Sequence, residues 1–215
     1  MCVILRCANP NTCASEQARI AMHDIEPHYR WRDLYIASED ELSPFFGRSY
    51  SEFEYSLKLY NFYLHPQWDE FGSTTLYCKA LFVDYDEGYA IIELIGEWND
   101  TLHDDVMYLK RYVAEPMLEE GINKFVFLCD NLLNFHSGDD DYYAEWMEEC
   151  AEQDGWIALL NTRPHVQEEI SAARLQRYVH VGDRYNEVRW RIARPQALFA
   201  AVKTLIQNRM PGIEY

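Results

Sequence analysis

The chain has 215 residues, with 19 Lys+Arg against 36 Asp+Glu and a formal net charge of -17. At 48% hydrophobic and 15% aromatic it is too apolar for a disordered acidic tail, and long enough for one domain with an extension or two small ones. The charge argues against a protein that grips nucleic acid phosphates or an anionic membrane surface, since both need a basic face.

No run approaches the roughly 20 apolar residues of a membrane-spanning helix. The longest, Ala90-Ile91-Ile92 and Phe125 to Cys129, are strand-sized, and Cys2 to Leu5 is too short for a secretory h-region. The expected location is the cytoplasm. Residues 1–23 read as a poorly ordered leader. Cys2, Cys7 and Cys13, with His23 and His28, lack the closely spaced Cys pairs of a zinc site, so no metal or cofactor is expected there. Cys78, Cys129 and Cys150 sit in apolar patterns and read as buried thiols.

Residues 24–73 mix charge, aromatics and Pro without a sustained period and read as an irregular, aromatic-rich extension. Within it, Phe53, Tyr55, Leu57 and Leu59 alternate like a strand, while Phe53, Leu57, Tyr60 and Leu64 have helical spacing; the aromatic content favours the strand. Arg30, Arg32 and Arg48 are interleaved with Trp31, Tyr35 and Phe46 and are expected to pair with the acidic part of the chain. Trp68 to Gly72 reads as a packed turn.

From residue 74 the pattern clears. Thr75–Val83 and Tyr89–Trp98 are β-rich runs joined by an Asp84–Gly88 turn. Asn99-Asp100-Thr101 offers a helix N-cap, after which Leu102, Val106, Leu109, Val113 and Met117 share one face. Pro116 is expected to kink the last turn and Gly121 to end the helix. Lys124–Cys129 reads as a buried strand, followed by a loop over Asn131–Asp141. An acidic helix over Asp139–Asp154 has Tyr143, Trp146, Met147 and Cys150 inward. Then come a strand at Trp156–Leu160, a helix at Pro164–Ala173, short strands at Tyr178–Val181 and Glu187–Ile192, and a helix at Pro195–Asn208 carrying Leu198, Val202 and Leu205 inward. The fold class is α/β, a mixed β-sheet opened by a hairpin and followed by strand–helix units.

That order of elements resembles a STAS domain, the fold of bacterial anti-sigma-factor antagonists, over residues 74–209. YAIIELIGEWND resembles the family's second strand, which runs through a Gly into the first helix. KFVFLCDNLLNFHSGDDDYYAEW resembles the strand, Asp-containing loop and Ser-Gly turn that open its second helix, and GWIALLNTRPHVQEEI the next strand and helix. The resemblance implies a regulatory, protein-binding bacterial module with an N-terminal addition. It also implies a phosphoacceptor in an Asp-Ser-Ser-Gly turn. Here that stretch is Phe135-His136-Ser137-Gly138, so Ser137 is the one hydroxyl available, and Asp139, Asp140 and Asp141 repel an incoming phosphate.

The charge is split along the chain. From Leu160 to Tyr215 nine basic residues oppose five acids, giving +4 and leaving -21 for residues 1–159. The acidic helix region carries Asp139, Asp140, Asp141, Glu145, Glu148, Glu149, Glu152 and Asp154 with no basic residue of its own. Like charges at helical spacing cost stability, which favours a reason for keeping them.

The sequence therefore favours a non-enzymatic module that docks a protein with a basic surface through Asn134, His136, Ser137, Asp139, Asp140, Asp141, Glu145, Glu148, Glu149 and Glu152. Acids at a helix start also simply cap it, as do Asp104 and Asp105 beside His103. No nucleophile elbow, phosphate loop or dinucleotide fingerprint occurs. The alternative is a small-molecule or divalent-metal-dependent enzyme using His136, Asp139 and Asp130. Self-association through the aromatic extension into a homo-oligomer is a third reading.

Overall fold

The structure is a computed structural model, and it describes residues 25–208. The readings made on residues 1–23, including Cys2, Cys7, Cys13 and His23, lie outside the described residues. The chain divides into two compact units, one holding residues 25–27 with Tyr50–Trp68, the other His28–Ser49 with residues 69–208.

In the first unit the ambiguous run over residues 53–64 is a small antiparallel hairpin. β1 (Lys58–Leu59) pairs with β2 (Phe62–Tyr63), Lys58 opposite Tyr63. Tyr60, at φ 53°, makes the turn, which is why neither a strand nor a helical period persists through it. The Lys58 amine lies 4.6 Å from the Tyr63 ring centre, and Trp68 Nε1 donates to the Ile25 carbonyl at 2.6 Å.

The second unit is built on a four-stranded sheet in the order β3-β4-β5-β6. β3 (Leu76–Asp84) and β4 (Tyr89–Asn99) form the expected antiparallel hairpin. Gly88 closes it at φ 68°, where a Cβ would stand 2.8 Å from the Gly121 carbonyl oxygen. β5 (Lys124–His136) and β6 (Trp156–Leu160) run parallel to β4, so helical crossovers join them.

The first crossover is broken. α1 (Asp100–His103) is capped by Asn99, whose side chain accepts the Leu102 N–H at 3.0 Å. Asp104, left-handed at φ 51°, ends that single turn and resets the phase before α2 (Asp105–Leu109). Leu102 is consequently 74% exposed, not inward, while Val106, Leu109, Val113 and Met117 are buried. A π-helical turn, Lys110–Ala114, then leads into α3 (Glu115–Glu119). Pro116 explains it: proline lacks an N–H and crowds the carbonyl four residues back, and the wider turn, with Glu115 N–H on the Lys110 carbonyl, relieves both.

β5 departs most from the sequence reading. The region expected as a loop from Asn131 continues as strand to His136, in register with β4 from Ile95 opposite Asn131 to Asn99 opposite His136. Asn is rare in strands, but here Asn131 Nδ2 donates to Glu93 Oε1 at 3.3 Å and Asn134 Nδ2 to Glu97 Oε1 at 2.6 Å. Two register shifts accommodate the polar rungs.

α4 (Asp141–Ala151) is shorter than the acidic run, because Asp139 and Asp140 precede its first turn. It buries Tyr143, Trp146 and Cys150, with Met147 half-buried. α5 (Pro164–Ala172) follows β6. The two short strands expected after it are absent. Residues 175–177 and 190–192 are 3-10 turns flanking α6 (Asp183–Asn186), and strand pairing reduces to one bridge, Ala158 with His180. Gly182 at φ 129° breaks the extended run between them. α7 (Pro195–Gln207) buries Leu198 and Val202, with Leu205 half-buried.

Helices cover both faces of the sheet. Ile92, Leu94, Phe125 and Phe127 pack with Leu109, Val113, Trp146 and Val166 on one side. Tyr89, Ile91, Val126 and Leu128 pack on the other with Trp31, Trp190, Leu198 and Phe199, where Tyr89 and Phe199 stack at 3.8 Å. Burying each such side chain contributes about 1.5–3 kcal/mol. Trp31, Ala37 and Phe45, from the stretch read as an irregular extension, belong to these cores.

Candidate functional site

At the carboxyl end of β4 and β5 the starts of α1 and α4 meet on one buried carboxylate. Asp100 Oδ1 accepts Trp98 Nε1 at 2.9 Å and the Val106 N–H at 2.8 Å, and Oδ2 accepts the Tyr143 hydroxyl at 2.6 Å. Burial raises its pKa to about 6, against those three donors, which lower it. Asp105 is buried beside it, and its Oδ2 accepts the Asn99 N–H at 2.7 Å. The Thr101 hydroxyl donates to the Ser137 carbonyl at 2.8 Å, and Gly138 lies so close that a Cβ there would be 3.0 Å from the Asp100 carbonyl oxygen. These contacts hold the β5–α4 turn against α1.

The sequence-predicted residues lie around this turn. Asn134 is spent on Glu97, while His136 is exposed at the strand end and Ser137 is half-buried. Asp139 and Asp141 are exposed. Asp140 accepts from the Tyr178 hydroxyl at 2.7 Å and from Arg177, and these partners hold its carboxyl below the ordinary range, Tyr178 foremost. Glu145 and Glu149 lie 3.3 and 2.9 Å from the ammonium of Lys110, which also meets Glu115 at 2.8 Å. Burial alone would lower the Lys110 pKa; the three carboxylates reverse this and raise it. The acidic helix thus borrows a cation from the π turn, 39 residues before Glu149. Glu148 and Glu152 are exposed and have no side-chain partner among the described residues.

Asp130 is held elsewhere. It alternates to the opposite face of the sheet, where Trp190 Nε1 donates to its Oδ2 at 2.8 Å and Arg191 Nε lies 3.6 Å from its Oδ1. Among the described residues no group of three or more His, Cys, Asp or Glu is placed to hold a metal ion. Beside Asp130 lies a buried acid that sequence reasoning missed. Glu93 accepts the His28 backbone N–H at 2.8 Å and Asn131 Nδ2 at 3.3 Å, with Arg191 at 3.5 Å. Burial pushes its pKa up to about 7, against the His28 and Arg191 contributions. The signal was a lone acid inside YAIIELIG. The His28 ring packs edge-on between Trp31 and Trp190, at 5.0 and 4.9 Å. Cys78, Cys129 and Cys150 are buried free thiols, and burial raises the pKa of each, so none is a thiolate.

No protein-family model matches the chain, and no curated protein matches it. Among solved structures it is similar to the crystal structure of a Thermotoga maritima protein provisionally assigned as an anti-sigma factor antagonist. That similarity is 18% in identity, covers 49% of this chain and 85% of that one, and has a TM-score of 0.38. An NMR structure of the same protein is 20% identical, with 47% and 77% covered and a TM-score of 0.35. Both similarities span about half of this chain. No helix among the described residues is long and apolar enough to cross a membrane.

Proposed function

We propose that this chain is a cytoplasmic, non-enzymatic regulatory module that binds another protein, of basic surface, through α4 and the adjoining β5–α4 turn. The observation that carries the reading is an acidic ladder on the outside of α4. Asp141, Glu145, Glu148 and Glu152 are all exposed, at spacings that align them in one stripe, and among the described residues only Glu145 has a cation, Lys110. Uncompensated like charges at these spacings destabilise a helix, and a partner's Lys or Arg side chains would offset them. Exposed Leu102 adds an apolar contact next to the turn, with His136, Asp139 and Ser137 around it; an apolar centre with a polar rim is the usual make-up of an interface.

Ser137 is the residue of this surface that a kinase would modify. Phe135, at the first position of the corresponding turn, is buried, whereas the Ser137 hydroxyl has no partner among the described residues. A phosphate would add about two negative charges to the docking surface. The test is a pull-down from the protein's own cells with the unaltered chain and with the double substitution Glu148→Lys, Glu152→Lys. Loss of a captured partner in the double variant supports the reading; an unchanged set of captured proteins contradicts it. Phosphosite mapping of the same material reads Ser137 directly.

A further inference from the structure

A cleft of about 770 Å³ opens where β5 and β6 part, after their last paired residues Leu128 and Leu160. The volume lies in the range usual for small-molecule sites. The walls are Asp130 on β5, Asn161 directly after β6, and the irregular stretch from Asn186 to Ile192.

The charged groups of these walls divide into a satisfied pair and a free pair. Asp130 is held by Trp190 and Arg191, and the Arg191 guanidinium lies 4.4 Å over the Trp190 ring. Glu187 and Arg189 are exposed, and neither has a side-chain partner among the described residues. The two amides divide in the same way. Asn186 Oδ1 accepts the Thr162 N–H at 2.9 Å and hydroxyl at 3.1 Å, and its Nδ2 donates to Gln167 at 2.8 Å. Asn161 Oδ1 is buried and accepts no hydrogen bond among the described residues. A buried acceptor without a donor is costly, and an Asn amide turns easily about its last torsion, so a donor placed in the cleft can satisfy it. Val188 and Ile192 give the cleft an apolar wall, with Ile192 78% exposed.

We propose that this cleft binds a small zwitterion, an α-amino acid with an apolar side chain. Its carboxylate would sit on Arg189, its ammonium on Glu187 and the Asn161 amide oxygen, and its side chain against Val188 and Ile192. A simple anion leaves Glu187 and Asn161 unmatched, and a simple cation leaves Arg189 unmatched. One molecule carrying both charges satisfies all three.

Isothermal titration of the full chain with L-leucine and with L-phenylalanine tests this. Saturable binding of at least one is expected, weakened at least about tenfold by Arg189→Gln and by Asn161→Gly. The second substitution removes the acceptor while fitting the left-handed φ of 56° at that position. Isoamylamine and isocaproate, each keeping one of leucine's two charges, are expected to bind at least about tenfold more weakly than leucine. The proposal is overturned if neither amino acid binds at millimolar concentration, if isocaproate binds as well as leucine, or if both variants keep full affinity.

Discussion

The Lys110 ammonium lies 2.9 Å from Glu149 Oε1, tying the π turn before Pro116 to the acidic helix α4. The same ammonium also pairs with Glu115 and Glu145, so one cation is shared among three carboxylates. Glu145 and Glu149 of the acidic helix are therefore tied into local structure, whereas Asp141, Glu148 and Glu152 are left facing solvent.

Lys110→Met keeps the buried stem and removes the charge, leaving three carboxylates without their cation. Because those carboxylates are half-exposed and screened by water, the expected loss is about 1–2 kcal/mol. Urea unfolding measures it. Substitution of Glu115 alone, which leaves two partners on Lys110, is expected to cost less.

Glu93 and Asp100 both have folded-state pKa values above their ordinary ones, at about 7 and about 6, chiefly through burial. Each binds its proton more tightly in the folded state, so its contribution is full below the unfolded value and is lost as pH rises through the folded one. Between about pH 4.5 and 7 the Glu93 contribution declines by about 2–3 kcal/mol. His28 acts in the opposite direction. Its pKa is lowered to about 4, first by burial and then by Arg191 and Arg30, so its contribution is full above the unfolded value and is lost as pH falls toward 4. Glu93→Gln is expected to flatten the stability profile between pH 5 and 8 and to gain on the unaltered chain at pH 8. Parallel unfolding curves for the two proteins across that range would contradict the assignment.

Gly155 has no room for a side chain: a Cβ there would stand 2.1 Å from the Asn123 carbonyl oxygen and 2.6 Å from that of Cys150. Both are backbone atoms fixed at the junction of β5, α4 and β6. Gly155→Ala is expected to destabilise the fold by about 3 kcal/mol or more, read as a fall in the unfolding midpoint.

Elements dictated by local chemistry were legible in the sequence. The β3–β4 hairpin, the Asn99 cap, the Gly121 helix end and the three buried thiols each follow from residues within a few positions of one another. Elements decided across the fold were not. Asn131 and Asn134 look like loop residues until Glu93 and Glu97 stand opposite them on β4. Leu102 fits a helical stripe until Asp104 takes a left-handed turn and shifts the phase. Lys110 lies on a different helical segment from the glutamates it pairs with. Of the residues expected at the docking surface, Asn134, Asp140, Glu145 and Glu149 already have intramolecular partners. Asp139, Asp141, Glu148 and Glu152 do not, among the described residues. One-dimensional reading cannot separate these two groups, since both are acids or amides in the same stretch.

The docking role proposed for the free acids of α4 is separable from any role in folding. Glu148→Lys separates the two, because it relieves like-charge contacts with Glu145 and Glu152 while reversing the ladder's charge. The decisive measurement is partner capture and unfolding midpoint on the same preparation. An unchanged or slightly raised midpoint together with loss of the captured partner is expected. Full capture by a stable Glu148→Lys protein would contradict it.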